Sequence, residues 1–115
     1  MAAIDASRRS ELARLVDDLR RAGRTIHAET LAARRETRDL LVAGVREGLE
    51  PHARLDEPGL EALDVWVEAL QHADVNDVDL LQELLYGIDA LVRVHVWRET
   101  GLPLAPPAAH SAGDV

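Results

Sequence analysis

Residues 80–99 read LLQELLYGIDALVRVHVWRE. Leu81, Leu84/Leu85, Ile88 and Leu91/Val92 recur at i, i+3/4, i+7 and i+10/11, the period of a helix with one buried face. Carried one turn further, the same stripe holds His95 and then Glu99. An imidazole and a carboxylate therefore stand where hydrocarbon is expected. A second pair of the same spacing, His52 and Asp56, ends another amphipathic stretch.

Working back from that segment, Asp74-Val75-Asn76-Asp77 is a polar turn whose last residue can cap the helix. Ahead of it, Leu60, Leu63, Val67 and Leu70 define a third helix, flanked by Val65 and Trp66. Asp56-Glu57-Pro58 reads as its start, a cap followed by an early proline. Pro51 kinks or ends the preceding helix, since an interior proline costs about 3 kcal/mol. At the N-terminus, Ser7 or Ser10 caps a first helix with Leu12, Leu15/Val16, Leu19, Ala22/Gly23 and Ile26 on its buried side. Gly23 marks a close helix contact or a local break. Periodicity resumes with Leu40/Leu41, Gly44/Val45 and Gly48/Leu49. Residues 24–43 contain no Pro and no Gly, so two readings stay open: a turn near Ala32–Arg35, or one helix from 8 to 50.

Downstream, Thr100-Gly101-Leu102-Pro103 closes the last helix. The expectation is one domain over residues 1–102, with a disordered Pro/Ala-rich tail over 103–115. The fold class expected is all-α, an up-down-up-down four-helix bundle. Composition agrees: hydrophobic residues make up 47% of 115, aromatics only 3%, with no Phe. Such a core is built from Leu, Val, Ile and Ala.

There is no cysteine, so thiolate metal sites, disulfides and thiol nucleophiles are excluded. A net charge of −8 argues against nucleic-acid or anionic-membrane partners. The charge is uneven: residues 1–46 carry 10 Arg against 7 acids, and residues 47–115 carry 3 Arg against 14 acids. The simplest reading is that the two halves pack together and compensate. An Arg-rich helix contacting nucleic acid is the minor alternative. No apolar run reaches the roughly 18 residues of a membrane span, residues 1–7 lack a signal-peptide pattern, and a cytoplasmic location is expected. Phosphate-binding loops, nucleophile elbows and H-E-x-x-H are missing from the sequence, so no enzyme activity is expected.

In an antiparallel bundle helices two and four end at the same side, which brings His52/Asp56 and His95/Glu99 to similar depth. The starts of helices one and three lie there too, with Glu11, Glu61 and Asp64 as further acids. Imidazoles with carboxylates form a shell for iron, manganese or zinc. Side chains at i and i+4 stand about 6 Å apart along one face. His27, His72 and His110 read as structural or exposed residues, and Trp66, Trp97 and Tyr86 as packing residues.

The run from Glu83 to His95, followed by Glu99, resembles the last helix of bacterial hemerythrin-like HHE cation-binding domains. Leu49-Glu50-Pro51-His52-Ala53-Arg54-Leu55-Asp56-Glu57 resembles the end of that family's second helix. The resemblance implies a four-helix bundle holding a non-haem di-iron centre, used in sensing oxygen, nitric oxide or redox state, or in iron handling. By position it implies His52 and His95 as ligands and Asp56 (or Glu57) and Glu99 as carboxylates, Asp56 bridging, with Thr100 at a position often acidic. The family's His pair is missing from residues 58–66, and residues 8–11 are Arg-Arg-Ser-Glu where a His is expected. The expected site is thus reduced: His52, Asp56, His95, Glu99 and Glu61, with Asp64 and Glu11 as further replacements, for iron and a small diatomic ligand. The alternative is a metal-free interaction module whose apolar helix face takes a second chain, as a homodimer or with another partner.

Overall fold

The computed structural model describes residues 6–49 and 58–104. Four α-helices follow in order: α1 (Ala6–Thr25), α2 (Leu31–Leu49), α3 (Pro58–Gln71) and α4 (Val78–Thr100), with a 3-10 turn at Ile26–Ala28 between the first two. No strand occurs among the described residues. The regular structure of the described residues is all helical.

The break between α1 and α2 settles the open question of residues 8–50. It comes at 26–30, ahead of the expected Ala32–Arg35. Neither Gly nor Pro makes it. Glu29 leaves the helical region (φ −90°, ψ 153°) and donates its N–H to the Ile26 carbonyl. The Thr30 hydroxyl then accepts the Ala33 N–H at 3.1 Å, satisfying one of the bare amides of a new helix.

α1 covers Ala6–Thr25, so Ser7 and Ser10, expected to cap it, lie within the helix; the starts of α3 and α4 and the end of α4 follow the chain's own signals. α3 opens on Pro58, where a missing N–H costs nothing. Asp77 caps α4 by accepting the Leu80 N–H at 3.1 Å. Gly101, at φ 74°, ends α4 and donates its N–H to the Trp97 carbonyl, a left-handed geometry that glycine adopts without strain.

The buried stripes are those of the hydrophobic periodicity. Leu12, Val16, Leu19 and Ile26 meet Leu63, Val67 and Leu70 and the α4 residues Leu81, Leu85, Ile88, Val92 and Val96 in one core. Each fully buried Leu or Ile adds about 1.5–3 kcal/mol. α4 packs chiefly on α1 and α3, and α2 packs more lightly on the same two. On α2, Leu41, Val42 and Val45 are buried while Leu40 is exposed. Leu104, placed by the sequence in the tail, is buried in the core. Residues 105–115 lie outside the described residues, as do His52 and Asp56.

Two glycines set the helix approach. A Cβ on Gly23 would stand 2.6 Å from Tyr86 Cε1, and the Gly23 carbonyl accepts Gln82 Nε2 at 2.7 Å. Gly23 therefore marks a close α1–α4 contact. Trp66 of α3 covers Gly87 of α4 in the same manner.

Candidate functional site

His95 lies on the inner side of α4, 4% exposed, beside Val92 and Val96. The stripe that predicted its burial is correct. Glu99, one turn on, is half-buried. α4's end meets the start of α1: Arg9 donates to Thr100 Oγ1 (3.1 Å), to the Leu102 carbonyl (3.2 Å) and to the Pro103 carbonyl (2.7 Å). Arg8 of α1 reaches the Gly48 carbonyl of α2 at 3.5 Å. These contacts bring the ends of α2 and α4 to the start of α1.

The further acids expected from α1 and α3 lie at the surface. Glu11 is exposed and paired with Arg8 at 2.9 Å. Asp64 is exposed, 3.6 Å from Arg46. Glu61 is exposed in the first turn of α3. His52 and Asp56 are outside the described residues. Among the described residues no three His, Asp or Glu side chains converge as a metal shell would require. Thr100, the position the resemblance gives to an acid, is engaged in closing its helix: its hydroxyl donates to the Val96 carbonyl at 2.8 Å and accepts the Leu102 N–H at 3.1 Å. The Arg9 guanidinium fixes a positive charge at the same end, which opposes a bound dication.

His27 and His72 are exposed. They stand 3.9 Å from Asp79 and 3.6 Å from Glu68. Tyr86 and Trp66 pack over glycines, whereas Trp97 is 55% exposed.

A buried charge cluster lies elsewhere. Asp89 is 6% exposed; its carboxylate accepts Arg93 Nε at 2.9 Å and Arg20 Nη2 at 3.5 Å. The signal for it in the sequence is the i, i+4 spacing of Asp89 and Arg93 at the edge of the α4 stripe. Arginines of the first half also reach backbone carbonyls of the second. Arg34 donates to the Val75 carbonyl at 3.1 Å and Arg38 to the Ala73 carbonyl at 2.8 Å. Arg46 donates to Gln71 Oε1 at 2.8 Å. Those acceptors are uncharged; charge is offset between the halves by Arg20 with Asp89 and by Arg46 with Asp64 and Glu68. In the turn before α4, the backbone N–H and side-chain amide of Asn76 hold the Asp74 carboxyl below its ordinary value.

Compared with protein-family models, curated proteins and solved structures, the chain finds no match.

Proposed function

We propose that this chain is a protein-binding helical module, an up-down-up-down bundle of hemerythrin-like ancestry that works through the outer face of α3 and α4 and carries out no turnover. One observation carries the reading: α4 is apolar on the side turned away from the core. Tyr86, Ala90, Val94 and Trp97 are all exposed there. A surface helix ordinarily presents a polar outer face, and contiguous exposed apolar area marks an interaction site. On neighbouring α3, Ala62, Val65 and Ala69 are exposed as well. The opposed order of contacts along α1 and α4, Arg9 with Thr100 and Arg20 with Asp89, supports the bundle topology. The test is a photo-crosslinking amino acid at Val94, with Asp18 on α1 as the control position. Crosslinking in cells at 94 and not at 18 is the expected result. No product at 94 overturns the reading.

A second reading, a metal protein, is favoured by the burial of His95 one turn before Glu99. In it His52 and Asp56 join His95 and Glu99 around one ion, with Glu61 at its edge, and iron is the metal the resemblance suggests. Such an ion would supply redox chemistry or bind a diatomic ligand. Elemental analysis of protein purified without chelator tests it. Metal bound by the native chain and lost in His95→Ala supports this reading; no metal after anaerobic ferrous loading removes it.

A further inference from the structure

At about 100° per residue, Glu83, Tyr86, Ala90, Val94 and Trp97 fall on one line along α4, opposite Leu85, Ile88 and Val92. Tyr86 is 37% exposed and Val94 44%. The line begins with an acid, Glu83, and Arg98 stands beside its far end. Both are exposed, and neither forms an ion pair among the described residues. Between them the stripe carries no charged side chain, in a chain of which 30% is charged.

This order reads the same way from both ends. Rotate one copy by 180° about an axis through Ala90, and residue i of one α4 faces residue 180 − i of the other. Tyr86 then meets Val94 of the second copy, and Ala90 meets Ala90. Glu83 comes within one residue, about 1.5 Å of rise, of the position facing Arg98. A twofold axis makes each of these contacts twice. The small side chain at the centre lets two helices approach to the close end of the usual spacing, about 8 Å. A foreign partner would need a matching pattern of its own. The stripe already matches itself.

We infer that a second copy of this chain is the partner, α4 packing antiparallel on α4 about Ala90, with Glu83 of each copy paired to Arg98 of the other. The inference rests on the protein-binding reading above and names its partner.

The first test is sedimentation velocity over a concentration series of the full chain. Glu83→Arg alone and Arg98→Glu alone each place like charges at two symmetry-related sites, and each weakens self-association about tenfold. The double variant Glu83→Arg/Arg98→Glu rebuilds both pairs and restores it. These positions are exposed, and unchanged helical circular dichroism certifies that each variant folds. A chain monomeric at its highest soluble concentration overturns the inference, as does a double variant no better than the singles. The Val94 crosslink separates the two levels. A product of twice the chain mass supports the dimer, a product of any other mass overturns it and leaves the binding reading standing, and no product overturns both.

Discussion

The indole of Trp66 covers Gly87 so closely that a Cβ built on residue 87 would stand 2.7 Å from Cε3. Two helices are thereby keyed together by a hydrogen atom and a ring. Replacing a helical glycine with alanine ordinarily stabilises by about 1 kcal/mol. Here the added methyl displaces a half-buried ring, and overpacking of that kind costs about 1–3 kcal/mol. Gly87→Ala is expected to lower the urea midpoint. Gly48→Ala is the control, since its Cβ would meet only the ends of flexible side chains, terminal methyls of Leu12 at 3.3 Å and Leu15 at 3.7 Å; it should be neutral or stabilising. A Gly87→Ala protein more stable than the parent would show that the Trp66 ring gives way to the methyl at no cost.

Asp89 joins α1 to α4 through Arg20 and is steadied by Arg93 on its own helix. Asp89→Asn keeps the shape and removes the charge from a buried acceptor. Loss of charge-assisted hydrogen bonds at such a site costs about 1–3 kcal/mol. Arg20→Met should cost less, about 0–1 kcal/mol, because Arg20 is partly exposed and its pair is screened by water. Chemical denaturation of both variants decides it. Equal losses would show that Arg93 contributes little to holding the carboxylate.

The four helices were legible because their apolar residues keep a single period, and the turn before α4 because Asp74 and Asp77 are the residue types that such turns use. The junction of α1 and α2 was harder to place. Thr30 is a cap of the right kind, but it is set in a stretch with neither Gly nor Pro, and between Ile26 and Leu40 the apolar period lapses, so no pattern singles out one residue as the break. Asp89 escaped notice because its burial depends on an arginine 69 positions away, a pairing no local pattern contains. The outer side of α4 was hidden for another reason. Periodicity ranks the strongest stripe, and in a helix apolar on two sides the weaker one is read as background. The burial of His95 was correctly expected from its place on the stripe. What surrounds its end of the helix, Arg9 above all, was not, since that follows from how α1 begins against the end of α4.

Thr30 holds the Ala33 amide in the first turn of α2 through its hydroxyl. Thr30→Ala should cost about 1 kcal/mol, the usual effect of losing such a cap, whereas Thr30→Ser should be almost silent. Hydrogen exchange gives the local reading: the Ala33 amide should lose protection in Thr30→Ala while the amides of α4 keep theirs. Uniform loss across the chain would show that the junction is not held locally.

Asp74 accepts both the backbone N–H and the side-chain amide of Asn76, and these bonds favour its charged form. A carboxyl whose pKa is lower folded than unfolded stabilises the fold above the ordinary aspartate range, and that contribution fades as pH falls through the folded value. Asn76→Ala removes the side-chain bond and should move the carboxyl back toward its ordinary value. Carboxyl-detected NMR titration of Asp74 in both proteins checks the direction. A lower value in Asn76→Ala would reverse the assignment of cause.

Arg9 binds three acceptors past or at the end of α4: Thr100 Oγ1 and the carbonyls of Leu102 and Pro103. The Leu102 and Pro103 carbonyls lie past Thr100, the last helical residue, where no intrahelical bond reaches them, and a cation there also complements the helix dipole. The guanidinium fork can meet several oxygens at once, which a lysine ammonium cannot do in the same geometry. Held in this way, the chain after Gly101 turns back and buries Leu104 against the core. Arg9→Lys should therefore loosen residues 101–104 almost as much as Arg9→Met. Both should raise exchange at the Leu102 and Leu104 amides and cost about 1–2 kcal/mol in unfolding free energy. Leu104→Ala should be more costly, about 2–3 kcal/mol, and should loosen the same segment with Arg9 intact. Exchange at Leu104 unchanged in Arg9→Met would show that the core contact alone seats this turn.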